Sequence, residues 1–588
     1  MKAKKLNKKI LYRFSPWAWL ILIAVSAFYM LINYAGTEGL NPSDEGVVLA
    51  QSWRILQGEV PHLDFISIRP VGSGVLHTIH FLLPFPLQSS ARYFVLFQFF
   101  IIAFSWVQFF RLKSNFKHEI PTLYKLSFLL IAWVTSIFNY NLFPWTTIDA
   151  VFWTSLGFYL TERSFHIRRQ TLCLGLGLMA FVLAALSRQT FALVAIVGWL
   201  WIAVRIVKRK SWTAGILGAA IGLIPLVIYA VVIAANDAGR AFLSQLTGRT
   251  EFYDTAVRGF YERFKLSSMK WIHLTIMGLT ILLSIGKRLS SRLHSFLATL
   301  PALRIMFIVE TSLVLILLYG IADYFITAET RDVFTLPFRS FWILLDIMLI
   351  SVLVQDNKFT ACVPAWFALL VAWVSAISLG ANTPVFAFGI LVISILYVFL
   401  IKYQDALLLK QNWLKVFIPA VAILFFATGT RSQQHVNYRD VGKEKQTHNL
   451  KEIHPDYGNC MTNQHTYAYL AEVDSLVKAY KPLKQPFVLL PDNAIVYPVY
   501  RMHNPMPVDW IQGPEFVGQE ERFKKELLWK IDEGVIFMVQ RVNAKNMWDG
   551  FEEIKYWKYP YVWDIHRECK LQDQTEFFDI YSKYPLEK

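Results

Sequence analysis

The sequence predicts a polytopic α-helical membrane protein that ends in a water-soluble α/β domain. Three observations predict it. Hydrophobic residues make up 55% of the 588-residue chain, apolar runs follow one another through residues 1–430, and residues 431–588 are more polar. Soluble proteins are usually about 45–50% apolar, so the excess must face lipid.

Several apolar runs are long enough to cross or nearly cross a bilayer, for which a helix needs about 20 residues. We therefore predict about 13 transmembrane helices in residues 1–430. In chain order they are Trp17–Tyr34, Tyr93–Phe110, Leu123–Phe138, Ile148–Leu160, Leu172–Leu186, Phe191–Val207, Ala214–Ala235, Trp271–Ile285, Ile305–Ile326, Phe338–Val354, Phe359–Leu379, Val385–Ile401 and Leu414–Ala427.

The basic residues alternate between clusters and gaps along the membrane part. The net charge is +16; Lys and Arg gather at the N-terminus and in 111–117, 163–169, 205–210 and 287–292, whereas 139–147 and 380–384 hold none. Because short basic connections stay cytoplasmic, we predict a cytoplasmic N-terminus and, after an odd number of spans, an extracytoplasmic C-terminal domain. Topology thus explains the charge without a nucleic-acid partner. No Asn-x-Ser/Thr sequon with a middle residue other than Pro occurs in the sequence, which is consistent with a prokaryotic plasma (inner) membrane.

Residues 35–92 form a first long loop on the predicted outer side, and loops often carry function. Ser43 is a natural N-cap and Gly58 a natural C′ residue, so the loop should hold a helix of about fourteen residues on the membrane surface. Asp44 and Glu45 open this helix. Acids at a helix N-terminus also offset the helix dipole, which is the purely structural interpretation of the pair.

Three further positions are predicted at the same outer surface. Arg69 lies later in the first long loop, Asp149 begins the fourth span, and Arg188-Gln189 forms the turn between the fifth and sixth spans. An acid in an apolar span is costly without a partner, so Asp149 and Asp44 are predicted to share a pocket. A guanidinium suits phosphate, although a single interfacial Arg is usually an anchor.

Two histidines follow in the same loop with helical spacing, His77 and His80. They are candidates for substrate binding on a second surface helix. The alternatives are metal ligands or polar tips at the membrane interface.

These motifs together resemble those of the GT-C glycosyltransferases, which include the protein O-mannosyltransferases and the aminoarabinose transferases of lipid A. The resemblance covers residues 1–190 by motif and the rest of the chain by layout. It rests on Asp44-Glu45, Gly58, Pro61, Asp64-Phe65, Arg69-Pro70, Thr147-Ile148-Asp149 and Arg188-Gln189.

The resemblance implies a GT-C-like fold and the transfer of a sugar, hexosyl or pentosyl, from a polyisoprenyl-phosphate donor to a hydroxyl of a glycan, lipid or protein acceptor. It implies that Asp44 takes the acceptor proton, that Glu45 or Asp149 orients it, and that Arg188 and Arg69 stabilise the departing phosphate. It leaves open whether Asp44 and Asp149 hold a divalent metal ion.

One departure concerns the substrates. This chain has Ile68-Arg69-Pro70-Val71 where the aminoarabinose transferases look like they carry Glu-Lys-Pro-Pro. The reaction class is therefore carried over, but not the sugar or the acceptor.

A multi-pass transporter or flippase is the alternative function. It would use acids inside the spans to couple ion and substrate movement. The candidate acids are Glu310, Asp323 and Asp346.

Residues 431–588 are predicted to form a small extracytoplasmic α/β domain. Strand-like runs occur at Phe487–Leu490, Val535–Val539 and Phe577–Tyr581, with helical patterns around Tyr467–Tyr480 and Gln519–Glu533. Cys460 and Cys569 flank most of it. A disulfide between them would contribute about 4 kcal/mol outside the cytoplasm; the alternative is two thiols.

Overall fold

A computed structural model describes residues 21–113, 122–137, 142–247, 359–377, 384–403 and 436–586, apart from a few single positions, together with parts of 342–352 and 420–431. The predicted spans Trp271–Ile285 and Ile305–Ile326 lie outside the described residues. The helices of the membrane part include α1 (Ile21–Met30), α2 (Val47–Leu56), α3 (Gly72–His77), α4 (Leu87–Lys113), α5 (Thr122–Ile137), α6 (Thr146–Ser164), α7 (Gln170–Ser187), α8 (Ala192–Arg209), α9 (Trp212–Ala235), α10 (Gly239–Thr247), α11 (Val363–Ala376) and α12 (Phe388–Tyr403).

Five helical stretches in the described part of the chain are long and apolar enough to cross a membrane. They are Leu87–Lys113, Gln170–Ser187, Gln189–Arg209, Trp212–Ala235 and Val385–Lys402, which overlap the predicted second, fifth, sixth, seventh and twelfth spans. Helices α5 and α6, with 16 and 19 residues, overlap the third and fourth. The prediction of a multi-pass membrane protein is confirmed, while the total of about thirteen spans stays a prediction.

Helix α6 packs closely against α7 and carries a buried acid near each end. A Cβ at Gly177 of α7 would lie 2.8 Å from the backbone nitrogen of Thr161, so glycine is what permits this approach. Asp149 lies in the first turn of α6, and Glu162 lies in the last turn, where it pairs with Arg205. At 1.5 Å per residue the two acids are about 20 Å apart along the helix, so they serve opposite ends of the bundle.

Residues 436–586 contain a four-stranded sheet covered by helices. In the order β5-β6-β8-β7, β5 runs parallel to β6 and the other pairs are antiparallel. Buried side chains of the first long loop, Leu49 and Ile66 among them, join its apolar core. The elements are β1 (Val436–Asn437), β2 (Asp440–Val441), β3 (His448–Asn449), β4 (Met461–Thr462), α13 (Gln464–Tyr480), β5 (Phe487–Leu490), α14 (Val496–Tyr500), α15 (Glu520–Asp532), β6 (Ile536–Gln540), α16 (Tyr561–Glu568), β7 (Lys570–Gln574) and β8 (Phe578–Ser582).

The C-terminal segment, residues 436–586, contacts α2 through buried polar side chains. Arg54 donates from Nε to both carboxylate oxygens of Asp509 at 2.9 and 3.0 Å, and from Nη1 to Glu59 at 2.7 Å. The indole of Trp53 donates to the carbonyl of Met502 at 2.9 Å. The predicted surface helix is therefore corrected: it has 10 residues, and the C-terminal segment covers it.

The structure contains Cys460 and Cys569 as thiols, the second of the two alternatives that the sequence left open. Cys460 is buried beside Arg92, just before β4, whereas Cys569 ends α16. Burial raises the pKa of Cys460 to about 12 and that of Cys569 to about 11. Both groups therefore stay protonated and unreactive near neutral pH.

We expect all 4 cysteines to react with iodoacetamide once the protein is unfolded in detergent without a reductant. Intact-mass spectrometry would count the added groups. A protein in which Cys460 is bonded to Cys569 would take up two groups fewer, and only the addition of a reductant would restore them.

Exposed apolar side chains line the segment that leads into α4. Val75 is 53% exposed, Leu82 75% and Phe85 60%, and on α4 itself Phe97 is 54% exposed. Apolar surface of this extent in a soluble region is unusual. Since the segment leads directly into a spanning helix, we expect the bilayer to cover it.

A spin label at Leu82→Cys should therefore be more accessible to dissolved oxygen than to a water-soluble nickel complex when the protein is in lipid nanodiscs. Oxygen concentrates in the hydrocarbon, whereas the nickel complex stays in water. Lys478→Cys, on an exposed part of α13, should give the opposite ratio. Equal ratios at the two sites would contradict lipid contact.

Candidate active site

The loop before α2 is held in a tight turn by Asn41. Its side-chain carbonyl accepts hydrogen bonds from the hydroxyl of Ser43 at 2.7 Å and from the backbone nitrogens of Ser43 and Asp44 at 3.1 and 2.9 Å. Ser43 is therefore not the N-cap that the sequence predicts. The helix begins at Val47, and the acidic pair precedes it in the turn.

Glu45 is fully buried and paired with Arg92 of α4. The guanidinium Nη2 lies 2.9 Å from both carboxylate oxygens, and Gln88 and the backbone nitrogen of Asn41 donate to the same carboxylate. Burial raises the pKa of Glu45, while Arg92 and the bond from Asn41 act in the opposite direction. Arg92 also donates to the carbonyl of Gly39. This ion pair joins the acidic turn to the first spanning helix after the loop.

Asp44 is buried between the helix bundle and the C-terminal segment. It is 3% exposed, and its Oδ2 lies 2.8 Å from Nη1 of Arg439, in the connection between β1 and β2. A Cβ at Gly46 would overlap the backbone of Ile495, and the Ile495 nitrogen donates to the carbonyl of Pro42 at 3.3 Å. The C-terminal segment thus covers the acidic turn, Asp44-Glu45, and forms the roof of the site.

A second acid, Asp492, lies in that roof after β5. Trp510 donates to it at 2.6 Å, and Lys545 approaches to 3.5 Å. Burial raises the pKa of Asp492; Lys545 and Trp510 oppose this rise and the charge of Asp44 adds to it. Asp44 and Asp492 therefore affect each other electrostatically across the junction.

Asp149 is fully buried at the start of α6. It accepts from Gln98 at 2.7 Å, and Nε2 of His77 lies 3.1 and 3.2 Å from its two oxygens. Nδ1 of His77 lies 2.9 Å from Nε2 of His80, whose Nδ1 lies 3.2 Å from the Ser90 hydroxyl. Burial and the neighbouring His77 lower the pKa of His80 to about 3.

The two histidines are thus not polar tips at the membrane interface, while their contact with substrate stays a prediction. His77 is fully buried and His80 is 1% exposed, and each of their ring nitrogens has a partner among the described residues. The structure corrects the interpretation as polar tips: the two buried rings contact each other, and His77 contacts Asp149.

Arg188 lies at the end of α7, beside the start of α6. Its guanidinium donates to the hydroxyl of Thr147 and, at 2.7 Å, to the carbonyl of Ile377. Gln189 donates instead to the carbonyl of Ile68 at 2.8 Å. Arg188 is 6% exposed, and its partner Thr147 precedes Asp149 by two residues in α6; a site shared by Arg188 and Asp149 stays a prediction.

Arg69 has a partner that the sequence analysis did not foresee. It forms two hydrogen bonds with Glu515 of the C-terminal segment, at 3.1 and 3.2 Å. In this arrangement Arg69 anchors the roof, and it would have to exchange Glu515 for a phosphate in order to bind a donor.

The predicted metal site on Asp44 and Asp149 finds no support in this geometry. The two carboxylates have different partners, Arg439 for the first and His77 with Gln98 for the second. Within the described ranges, no group of three or more His, Cys, Asp or Glu side chains is arranged to hold a metal ion.

A small apolar cluster links the start of α6 to the acidic turn. Trp145, the residue before α6, packs against Val47, Ala494 and Trp510. Asp44, Asp149 and Arg188 therefore lie at the same end of the bundle. Sequence reasoning missed the partners of the predicted site residues, namely Arg92, Gln98, Arg439, Asp492 and Glu515.

The fold and the site define a class of protein: a multi-pass membrane protein in which the first long loop and a C-terminal segment enclose buried acids at one end of the helix bundle. Two solved structures are similar to this chain, both of ArnT from Cupriavidus metallidurans. The apo structure has a TM-score of 0.43 and the structure bound to undecaprenyl phosphate 0.44; each shares 11% identity, over 96% of this chain and 98% of that chain. No protein-family model and no curated protein matches the chain.

Proposed function

We propose that this protein is a glycosyltransferase that moves a sugar from a polyisoprenyl-phosphate donor to an acceptor hydroxyl at the outer face of the membrane. The observation that carries the proposal is Asp44, a carboxylate 3% exposed at the junction of the bundle and its roof. A positioned carboxylate that is shielded from water can take a proton from a hydroxyl. The sequence motifs around it support the same reaction class.

In the proposed reaction Asp44 removes the acceptor proton as the hydroxyl attacks the anomeric carbon. The carbon–oxygen bond to the carrier breaks, and the phosphate leaves with the negative charge. Arg188 would stabilise that charge, since a guanidinium matches a phosphate in shape and charge. Arg69 is the weaker candidate for this role, because Glu515 already holds it.

The acceptor must displace Arg439 to reach Asp44. The ion pair between Arg439 and Asp44 measures 2.8 Å, and the side chain of Arg439 is 27% exposed to solvent. Because the side chain of Arg439 reaches solvent, its guanidinium can stay hydrated when an incoming hydroxyl takes its place at Asp44. Glu45, paired with Arg92, would hold the turn rather than contact the substrate.

The proposal includes an orientation. The N-terminus is cytoplasmic, and the first long loop and residues 431–588 are on the outer side of a prokaryotic plasma membrane. The carrier would be a polyisoprenyl phosphate, the class of lipid to which undecaprenyl phosphate belongs, and the acceptor a glycan, lipid or protein. The transporter alternative depends on Glu310, Asp323 and Asp346, of which the first two lie beyond the described ranges; nothing in the remaining described residues favours it.

The experiment is a donor panel. Purified protein in lipid nanodiscs is incubated with radiolabelled polyprenyl-phosphate sugars, pentoses and hexoses in turn, together with a bacterial envelope extract that supplies glycan, lipid and protein acceptors, and the release of polyprenyl phosphate is followed by thin-layer chromatography. Empty nanodiscs and the matching nucleotide sugars are the controls. We expect at least one lipid-linked donor, and no nucleotide sugar, to be consumed. Consumption of none by folded protein, together with substrate uptake into sealed vesicles, would favour the transporter and overturn the proposal.

A further inference from the structure

Asp149 and three further buried side chains form one continuous chain of hydrogen bonds. It runs from Asp149 through His77 and His80 to Ser90, with donor–acceptor distances of 3.1, 2.9 and 3.2 Å. The side chains come from α3 and the turn after it, from α4 and from α6. Their exposures are 0% for Asp149 and His77, 1% for His80 and 7% for Ser90, so water does not compete for these bonds.

The chemistry of these groups gives the chain a direction. An ionised carboxylate only accepts, so Nε2 of His77 must carry the proton. A neutral imidazole then has an acceptor at Nδ1, which takes a bond from Nε2–H of His80. By the same logic Nδ1 of His80 accepts from the hydroxyl of Ser90. The Ser90 hydroxyl has a competing acceptor, the carbonyl of Leu87 at 3.1 Å.

We propose that His77, His80 and Ser90 are positioning residues, which hold the buried Asp149 as a correctly oriented carboxylate through a one-way chain of hydrogen bonds. Gln98 donates to Oδ1 of the acid at 2.7 Å, and Nε2 of His77 lies 3.1 Å from that oxygen and 3.2 Å from Oδ2, so two side chains hold the carboxylate. Its place in the site rests on the proposed function: Asp149 lies in the first turn of α6, two residues after Thr147, which Arg188 contacts.

The arrangement does more than satisfy buried polar groups. A single imidazole between Asp149 and any backbone carbonyl would meet that need. Here the direction of three bonds depends on the charge of one acid, and a change in that acid should reach Ser90, on another helix. Ordinary packing of two histidines makes no such prediction.

The direction can be measured without any substrate. Solid-state NMR of ¹⁵N-histidine protein in lipid membranes distinguishes the tautomers, and the signals of two among the 13 histidines are assigned from their loss in His77→Gln and His80→Gln. We expect both rings to be neutral with the proton on Nε2. A charged ring, or a proton on Nδ1 of His77 in the wild type, would overturn the proposal.

Asp149→Asn provides a second arm. Gln98 keeps the amide oxygen as its acceptor, which turns the amide nitrogen toward His77. Nε2 of His77 lies within hydrogen-bonding distance of both positions, so it can accept from the amide nitrogen as well as donate to the amide oxygen, and in part of the molecules both rings should move their proton to Nδ1. Unchanged tautomers in this variant would mean that Asp149 does not set the direction, and the proposal would fail.

The kinetic arm uses whichever lipid-linked donor the wild type consumes. His77→Phe should lower kcat by about 10- to 100-fold, the usual effect of losing a supporting partner, with KM nearly unchanged. His77→Gln should recover part of kcat, because its amide can still donate to Asp149. His62→Gln is the matched control: His62 is also buried in the first long loop but bonds to Gln245 and Tyr229, and its kcat should be that of the wild type. Equal kcat in His77→Phe and the wild type would refute the positioning role.

The NMR and kinetic measurements distinguish a failure of the directional chain from a failure of the proposed function. If the wild type consumes no donor, the proposed function fails while the tautomers still decide whether the directional chain exists. If a donor is consumed but the tautomers do not follow Asp149, the directional chain fails while the glycosyltransferase stands.

Discussion

Asp44→Asn should slow sugar transfer by about 100- to 10,000-fold, the range that a general base contributes. Asparagine has the shape of aspartate and can still accept from Arg439, so the roof should stay closed and the thermal midpoint should change little. The measurement is the initial rate of polyprenyl phosphate release with the donor that the wild type consumes. The loss should appear in kcat, since the acid is proposed to act on the acceptor proton rather than to bind the donor.

Asp64→Asn is the matched control for this prediction. Asp64 lies in the same loop and is exposed. Within the part of the chain that the structure describes, its carboxylate accepts one hydrogen bond, from the backbone nitrogen of Val60 at 2.6 Å. Its rate should stay within twofold of the wild type, since a change at an exposed site far from the chemistry has little effect. Full activity in purified, folded Asp44→Asn would remove Asp44 as the base.

The surroundings of Asp44 also indicate a role for the C-terminal segment. The acidic turn is enclosed by Arg439 and Ile495, and the roof is anchored farther out by Arg54 with Asp509 and by Arg69 with Glu515. An acceptor that approaches Asp44 must therefore pass residues of the C-terminal segment. We infer that this segment selects the acceptor, while the helix bundle holds the donor.

Much of the fold could be predicted from local sequence pattern. Hydropathy located α4, α7, α8, α9 and α12, because a bilayer requires long uninterrupted apolar helices. The buried strand β5 was predicted residue for residue. The edge strand β7 was missed, since its residues Lys570–Gln574 are largely exposed and show no apolar alternation. Pattern methods find elements that bury a face and overlook those that do not.

The site was predicted as a set of residues but not as a structure. Asp44, Asp149 and Arg188 do lie at one end of the bundle. Their partners could not be read from the sequence, because pairs such as Arg69–Glu515 are separated by 446 positions. The sequence placed His77 and His80 on a surface helix, because the apolar residues around them do not show which side of this short segment is buried. Only the packing of α4 and α6 against it decides which face is buried.

The second large predicted effect is on stability and concerns the buried ion pair between Arg92 and Glu45. Arg92→Met should destabilise the protein by about 3–5 kcal/mol, the cost of leaving one member of a buried ion pair without its partner. Arg92 and Glu45 are both almost completely buried, at 3% and 0% exposure, and the pair fixes the acidic turn to α4. The measurement is the midpoint of thermal unfolding in nanodiscs, which should fall by several degrees. Arg111→Met, at an exposed position near the other end of α4, is the matched control and should not change it.

A double variant separates the loss of the ion pair from the loss of packing. Glu45→Gln combined with Arg92→Met removes both charges and leaves a neutral amide, which Gln88 can still partner. If the uncompensated carboxylate causes the instability, the double variant should be more stable than Arg92→Met alone. A double variant that is as unstable as the sum of the single ones would mean that the methylenes of Arg92, and not its charge, hold the turn. In that case the electrostatic account of how the acidic turn is kept next to the bundle would have to be abandoned.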